Sequence, residues 1–241
     1  DMSDMKSNPL LENFNTLDQA IPFDLIKTEH YIPALKATIS EAKQSLKKLK
    51  DNPSTTFENT IVALEQLSEK VDIVSGVYFN LFSAEASTEH QALAQEISLM
   101  LSDFSSDIAL DAELFKKIKY VYDNKKDFSL TKEDLQLVDK MYKDFSRNGA
   151  LLNDSAKEKL REIDQKLSAL SPQFSENVLK ATNNFEMWIE NKEDLDGLPE
   201  GAIEAATISA EQKGQPQKWL FTLQDPSMVP FLTYAKNRKL R

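Results

Sequence analysis

The chain carries two histidines, His30 and His90, sixty positions apart. A helical metal site of the HExxH kind needs two imidazoles at i and i+4, so that both leave one helix face. Neither histidine has such a partner. His30 falls at a helix start and His90 in a first helical turn, so both read as surface or capping residues. Carboxylates pair in three places: Asp194 with Asp196, Glu89 with Glu96, and Glu186 with Glu190. Two carboxyl groups held close together can act as general acid and base. In a chain with 39 acidic residues such pairs also arise by chance, and Glu186 and Glu190 read as the solvated face of one strand. Tyr78, Phe79 and Phe82 could line a cavity, but their helical spacing reads as core packing. There is no cysteine, so no thiolate ligand, no Cys nucleophile and no disulfide. No GxSxG elbow is present, and five glycines leave no phosphate-cradling loop. The residues themselves nominate no catalytic, cofactor-binding or metal-binding position.

The elements that would position any chemistry read as mainly α. Low glycine usage disfavours many tight turns and favours long helices. Residues 1–30 are Pro-punctuated and extended, yet Leu10, Leu11, Phe14, Ile21, Phe23 and Ile26 are too apolar for a free tail. They read as an arm packed on the body. Residues 31–183 read as a bundle of long antiparallel amphipathic helices. Ile32, Leu35, Ile39, Ala42, Leu46 and Leu49 mark the first stripe, which Asp51-Asn52-Pro53 stops. The second helix opens on a capping-box pattern at Thr55-Thr56-Phe57-Glu58 and runs toward Ala86. Gly76 inside it predicts a close helix contact or a bend. A third opens on a capping box at Thr88 and breaks near Asp111. A fourth starts near Thr131 and ends at Asn148-Gly149. A fifth starts near Asp154 and carries Leu160, Ile163, Leu167, Leu170, Phe174 and Val178, with a kink expected at Pro172.

The texture changes over residues 184–241. Phe185 to Glu190 and Trp219 to Leu223 read as strands, with a helix from Pro199 to Lys213 between them. This is a small two-strand α+β subregion near the C-terminus. Asp225-Pro226-Ser227 then starts a helix that no Gly or Asn-Gly closes before Arg241, so the chain reads as one cut inside that helix.

Net charge is −10. That argues against nucleic acid, whose phosphates need a basic surface. No apolar run approaches the ~20 residues that cross a bilayer, so no membrane partner is expected. Asp1 is not an initiator Met, and the compartment stays open between cytoplasm and periplasm.

Several blocks in order carry a family likeness. NPLLENF spans residues 8–14 and IPFDLIKTEHYIPAL spans 21–35. FENTIVALEQ spans 57–66, and SENVLKATNNFEMWIENKEDLDGLPEGAIEAA spans 175–206. WLFTLQDPSMVPFLTYAKNRKLR closes the chain. Together they resemble the N-terminal part of the thimet oligopeptidase family of zinc metallopeptidases, in its bacterial oligopeptidase A and peptidyl-dipeptidase branch. The resemblance implies a much longer parent. That parent would hold zinc and hydrolyse short peptides through an HExxH helix, a further Glu ligand, and a substrate-orienting Tyr and His, all downstream of Arg241. No position here matches them, so no catalytic, cofactor-binding or metal residue is carried over, and no zinc is expected in these residues. The implied partners are the missing C-terminal catalytic region of the same chain and, for the parent, short peptides. The implied role is one wall of the substrate channel, with an exposed apolar face where the missing region packs. Two other readings stand beside it: a free-standing all-helical interaction module without enzymatic activity, and an enzyme complete within these residues.

Overall fold

The computed structural model describes residues 8–84 and 87–241. The chain divides into two compact units, residues 1–172 and 173–241. The fold is mainly α with one small antiparallel sheet, as the periodicities indicate.

In the first unit, Asn8 anchors the arm. Its Nδ2 donates to the His30 carbonyl at 2.9 Å, and its Oδ1 accepts from Leu10 N–H at 3.0 Å. Leu10 is buried, and Leu11, Ile21 and Ile26 pack on the core. Phe23, expected to pack, is 43% exposed. The start of the arm, residues 1–7, lies outside the described residues.

α1 (Tyr31–Asp51) buries its predicted stripe through Leu35, Ala42, Leu46 and Leu49. A π-helical turn, Phe57–Val62, leads into α2 (Ala63–Leu67) and α3 (Glu69–Ala84). Its cap is Thr56, which exchanges bonds with Asn59, and not Thr55 with Glu58. Two adjacent threonines offered two registers, and the extended backbone at Thr56 selects the second. The expected continuation of α3 to Ala86 lies outside the described residues. Gly76 makes no close helix contact: α3 runs through it, and apart from α3's own backbone no atom lies within 4 Å of where a Cβ would stand.

α4 (Thr88–Ala92) and α5 (Ala94–Ala109) follow. Their cap is Ser87, which accepts from His90 N–H at 3.1 Å; Thr88 is already helical. α6 (Ala112–Asp123) is capped by Asp111, at the expected break, and α7 (Lys132–Phe145) by Thr131 in a reciprocal box with Asp134. Gly149, at φ 108°, turns the chain out of the helical run after α7. Two apolar cores result. One joins α1, α3 and α5 around Leu35, Val74, Tyr78 and Ile97. The other joins the end of α1 to the π turn, α6 and α7 around Ile61, Ile118, Val121 and Val138.

α8 (Asp154–Asn184) continues as helix through Pro172, the residue at which the two units divide. In the second unit, β1 (Met187–Ile189) pairs antiparallel with β2 (Trp219–Phe221), Trp188 opposite Leu220. Both strands are shorter than expected. α9 (Glu200–Gln212) connects them, and Ile189, Leu198, Ala206, Phe221 and Phe231 form the core.

The last helix, α10 (Asp225–Tyr234), does close. Ala235 leaves helical geometry at φ −59°, ψ 127°. Lys236 N–H donates to the Asp196 carbonyl at 2.9 Å, and Asn237 Nδ2 donates to Asp194 Oδ1 at 2.8 Å. The stop signal is therefore long-range: a turn forty residues upstream captures the chain where no local breaker stands. Gly197, at φ 93°, allows that approach, since a Cβ there would meet the Tyr234 carbonyl at 2.3 Å.

Candidate functional site

His30 is a capping residue: its Nδ1 accepts from Lys27 N–H at 2.9 Å. His90 is not at the surface. It is 7% exposed, stacked on Tyr78 at a centroid distance of 4.3 Å and met edge-on by Tyr31 at 5.2 Å. Its Nε2 lies 3.0 Å from the Tyr78 carbonyl. A carbonyl only accepts, so Nε2 carries the proton and cannot ligate a metal in this arrangement. The Tyr78 hydroxyl donates to the His90 carbonyl at 2.6 Å. Burial pushes the Tyr78 phenol well above its ordinary range, with a smaller contribution from Tyr31. Phe79 and Phe82 pack edge-on to one another and against the same core.

Two of the three carboxylate pairs are held by cations or amides. Glu186 meets Lys213 at 2.7 Å and accepts from Trp188 Nε1 at 3.1 Å. Glu190 meets Lys218 at 2.5 Å. These lysines hold both glutamates below the ordinary carboxylate range, the indole adding to the effect at Glu186. Neither suits a general acid, which needs a raised pKa. Asp196 is tied to Lys236 at 3.0 Å and Asp194 to Asn237. Glu89 lines a groove at the base of the arm with Lys27, Glu29 and Ile32, and Glu96 is exposed on α5. Among the described residues, no three His, Cys, Asp or Glu side chains gather where they could hold a metal ion. No helix among them is long and apolar enough to cross a membrane.

The surface features lie elsewhere. α1 and α5 flank a groove of about 510 Å³, with Lys36, Lys43 and Lys47 above Ile39, Met100 and Phe104. The lysine spacing was readable as one helix face. Lys43 is already paired with Asp107 at 2.9 Å and Lys47 with Asp51. α8 is the larger departure. Within the first unit it meets its own chain through polar groups. Lys157 Nζ donates to the Leu110 carbonyl at 3.0 Å, Arg161 pairs with Asp107 at 2.9 Å, and Gln165 Nε2 donates to Asp103 at 2.7 Å. Leu160, at the start of the apolar stripe, is half-buried beside Gly149, but from Ile163 on the stripe points away: Ile163 is 46%, Leu167 55% and Leu170 56% exposed.

No family model matches the chain. Over 98% of its length it is 34% identical to oligopeptidase A of Haemophilus influenzae. Over 97% it is 30% identical to dipeptidyl carboxypeptidase of Escherichia coli. Over 88% it is 27% identical to a thimet-like oligopeptidase of Dictyostelium discoideum. Nearly the whole chain is similar to oligopeptidases and dipeptidyl carboxypeptidases, consistent with part of a thimet oligopeptidase-family enzyme. The chain spans about a third of the length of those relatives: 34% of the first two and 32% of the third. The order of blocks from NPLLENF to the closing WLFTLQDP stretch is the sequence signal that carried the assignment, where no single side chain did.

Proposed function

We propose that these residues are the N-terminal, non-catalytic helical region of a zinc-dependent oligopeptidase and form one wall of its substrate channel. The carrying observation is similarity along 97–98% of this chain to about a third of an oligopeptidase A and of a dipeptidyl carboxypeptidase. In this reading zinc supplies Lewis-acid activation of water in the parent. The side chains here do not fit it: His30 and His90 are engaged with backbone groups, and each acidic pair but Glu89 and Glu96 has partners of its own. No catalytic step is assigned to them. Their part is to hold shape. Long helices joined by two apolar cores keep a wall rigid, and a rigid, narrow opening admits short unfolded peptides while rejecting folded proteins.

The test compares the parent with this chain. The parent should hold about one zinc per chain, measured by elemental analysis, and cleave a quenched fluorescent peptide of roughly ten residues. The 241-residue chain should do neither. Turnover by this chain alone would overturn the reading in favour of an enzyme complete within these residues. A parent without zinc or peptidase activity would favour the interaction-module reading.

A further inference from the structure

On an α-helix each residue advances ~100°, so Ile163, Leu167 and Leu170 fall within an arc of about 60°, while Lys157, Arg161, Gln165 and Pro172 centre on the opposite side. That opposite side is the one bonded to α5 and the Leu110 carbonyl. Pro172 is the sole buried residue among the described residues of α8. An amphipathic helix normally turns its apolar stripe inward. Here polar contacts fix the opposite setting, and among the described residues three large aliphatic side chains are left about half exposed.

We propose that this face of α8 is the seat of a segment of the parent chain lying outside these 241 residues. The inference rests on the reading above that the chain is part of a longer protein. The relatives are about three times as long, which supplies the occupant. Covalent attachment gives that occupant a millimolar effective concentration, so it outcompetes a second copy of this chain for the same stripe. The matching surface is an aliphatic one at helical spacing, since nothing charged lies on the stripe itself.

The test uses the full-length parent and cysteine substitutions; these 241 residues contain no native cysteine to confuse the reading. Leu167→Cys and, separately, Leu170→Cys are compared with Glu162→Cys, an exposed position on the flank of the same helix. Maleimide labelling is read at each site by peptide mass spectrometry. The L167C and L170C thiols should label at least ~10-fold more slowly than the E162C thiol, as expected of a site reached only through local opening. Equal rates at all three would overturn the proposal. Protection that vanishes on dilution would assign the face to a second copy and overturn it too. Peptidase activity of the unsubstituted parent is measured alongside. An inactive parent with protected thiols defeats the peptidase reading alone, and an active parent with freely labelled thiols defeats this inference alone.

Discussion

Tyr78 and His90 are bonded to each other twice. The tyrosine hydroxyl donates to the histidine carbonyl at 2.6 Å, and the histidine Nε2–H donates to the tyrosine carbonyl at 3.0 Å. The two rings stack at 4.3 Å. This pair joins α3 to the start of α4 and fixes the helical turn that begins the second half of the first core. Tyr78→Phe removes one bond and keeps the ring, so it should destabilise by about 1 kcal/mol. His90→Ala removes a bond, a stack and buried volume, and should cost about 2–4 kcal/mol. Urea unfolding midpoints at constant m-value check both; a His90→Ala midpoint equal to wild type would contradict the pairing.

Alkali should weaken the fold. Burial raises the phenol pKa of Tyr31 and Tyr78 above 10.0, Tyr31 adding to the shift at Tyr78. The hydrogen bond to Asp111 raises the Lys50 pKa above 10.5, with nearby carboxylates adding to it against the opposing effect of burial. In each case the folded protein holds its proton more tightly than the unfolded chain. The stabilisation is then full below the unfolded value and is lost as pH rises through the folded one. Thermal unfolding should show a level Tm from pH 7 to about 9.5 and a decline above about pH 10. Tyr78→Phe should blunt that decline. A Tm that holds level to pH 11 would count against all three assignments.

Asp111 has two separable tasks. Its Oδ1 caps α6 by accepting from Leu114 N–H at 2.9 Å, and its Oδ2 meets Lys50 at 2.6 Å in a half-buried pair. Asp111→Asn keeps a capping oxygen and loses the charge; Asp111→Ala loses both. The alanine variant should fall below the asparagine variant by about 1 kcal/mol, the ordinary value of an N-cap. Equal losses would mean that the ion pair, and not the cap, carries the effect.

Two glycines should respond in opposite directions. Gly76 is helical and open, so Gly76→Ala should stabilise by roughly 0.5–1 kcal/mol through lower unfolded-chain entropy. Gly197 sits at φ 93° with a backbone oxygen 2.3 Å from any Cβ. Gly197→Ala should therefore cost more than about 1 kcal/mol and release the 235–241 segment from Asp194 and Asp196. Chemical denaturation reads the first effect, and limited proteolysis after Lys236 reads the second.

These cases show which parts of the fold were legible in the sequence. Stripes at helical spacing named the helices, and Thr131, Asp111 and Gly149 acted where local chemistry put them. Caps slipped by one residue where two candidates stood side by side, at Thr55 with Thr56 and at Ser87 with Thr88. His90 was misplaced because position in a first turn says nothing about which rings lie across from it. The closure of α10 depends on Asp194 and Asp196, which no local signal near Tyr234 announces. Glu186 and Glu190 were legible as strand carboxylates, but their partners Lys213 and Lys218 lie more than twenty residues downstream, where no local pattern announces the pairing.

Because α8 is fastened by Lys157, Arg161 and Gln165, its outward aliphatic residues contribute little to the stability of this chain. Ile163, Leu167 and Leu170 could drift to Gln, Lys or Glu with only small changes in this unit's own stability. If this face is covered in the parent, these three positions should stay aliphatic among natural variants although nothing in this unit requires it. A survey of natural variants restricted to these three positions checks this, and frequent Gln, Lys or Glu there would count against the cover.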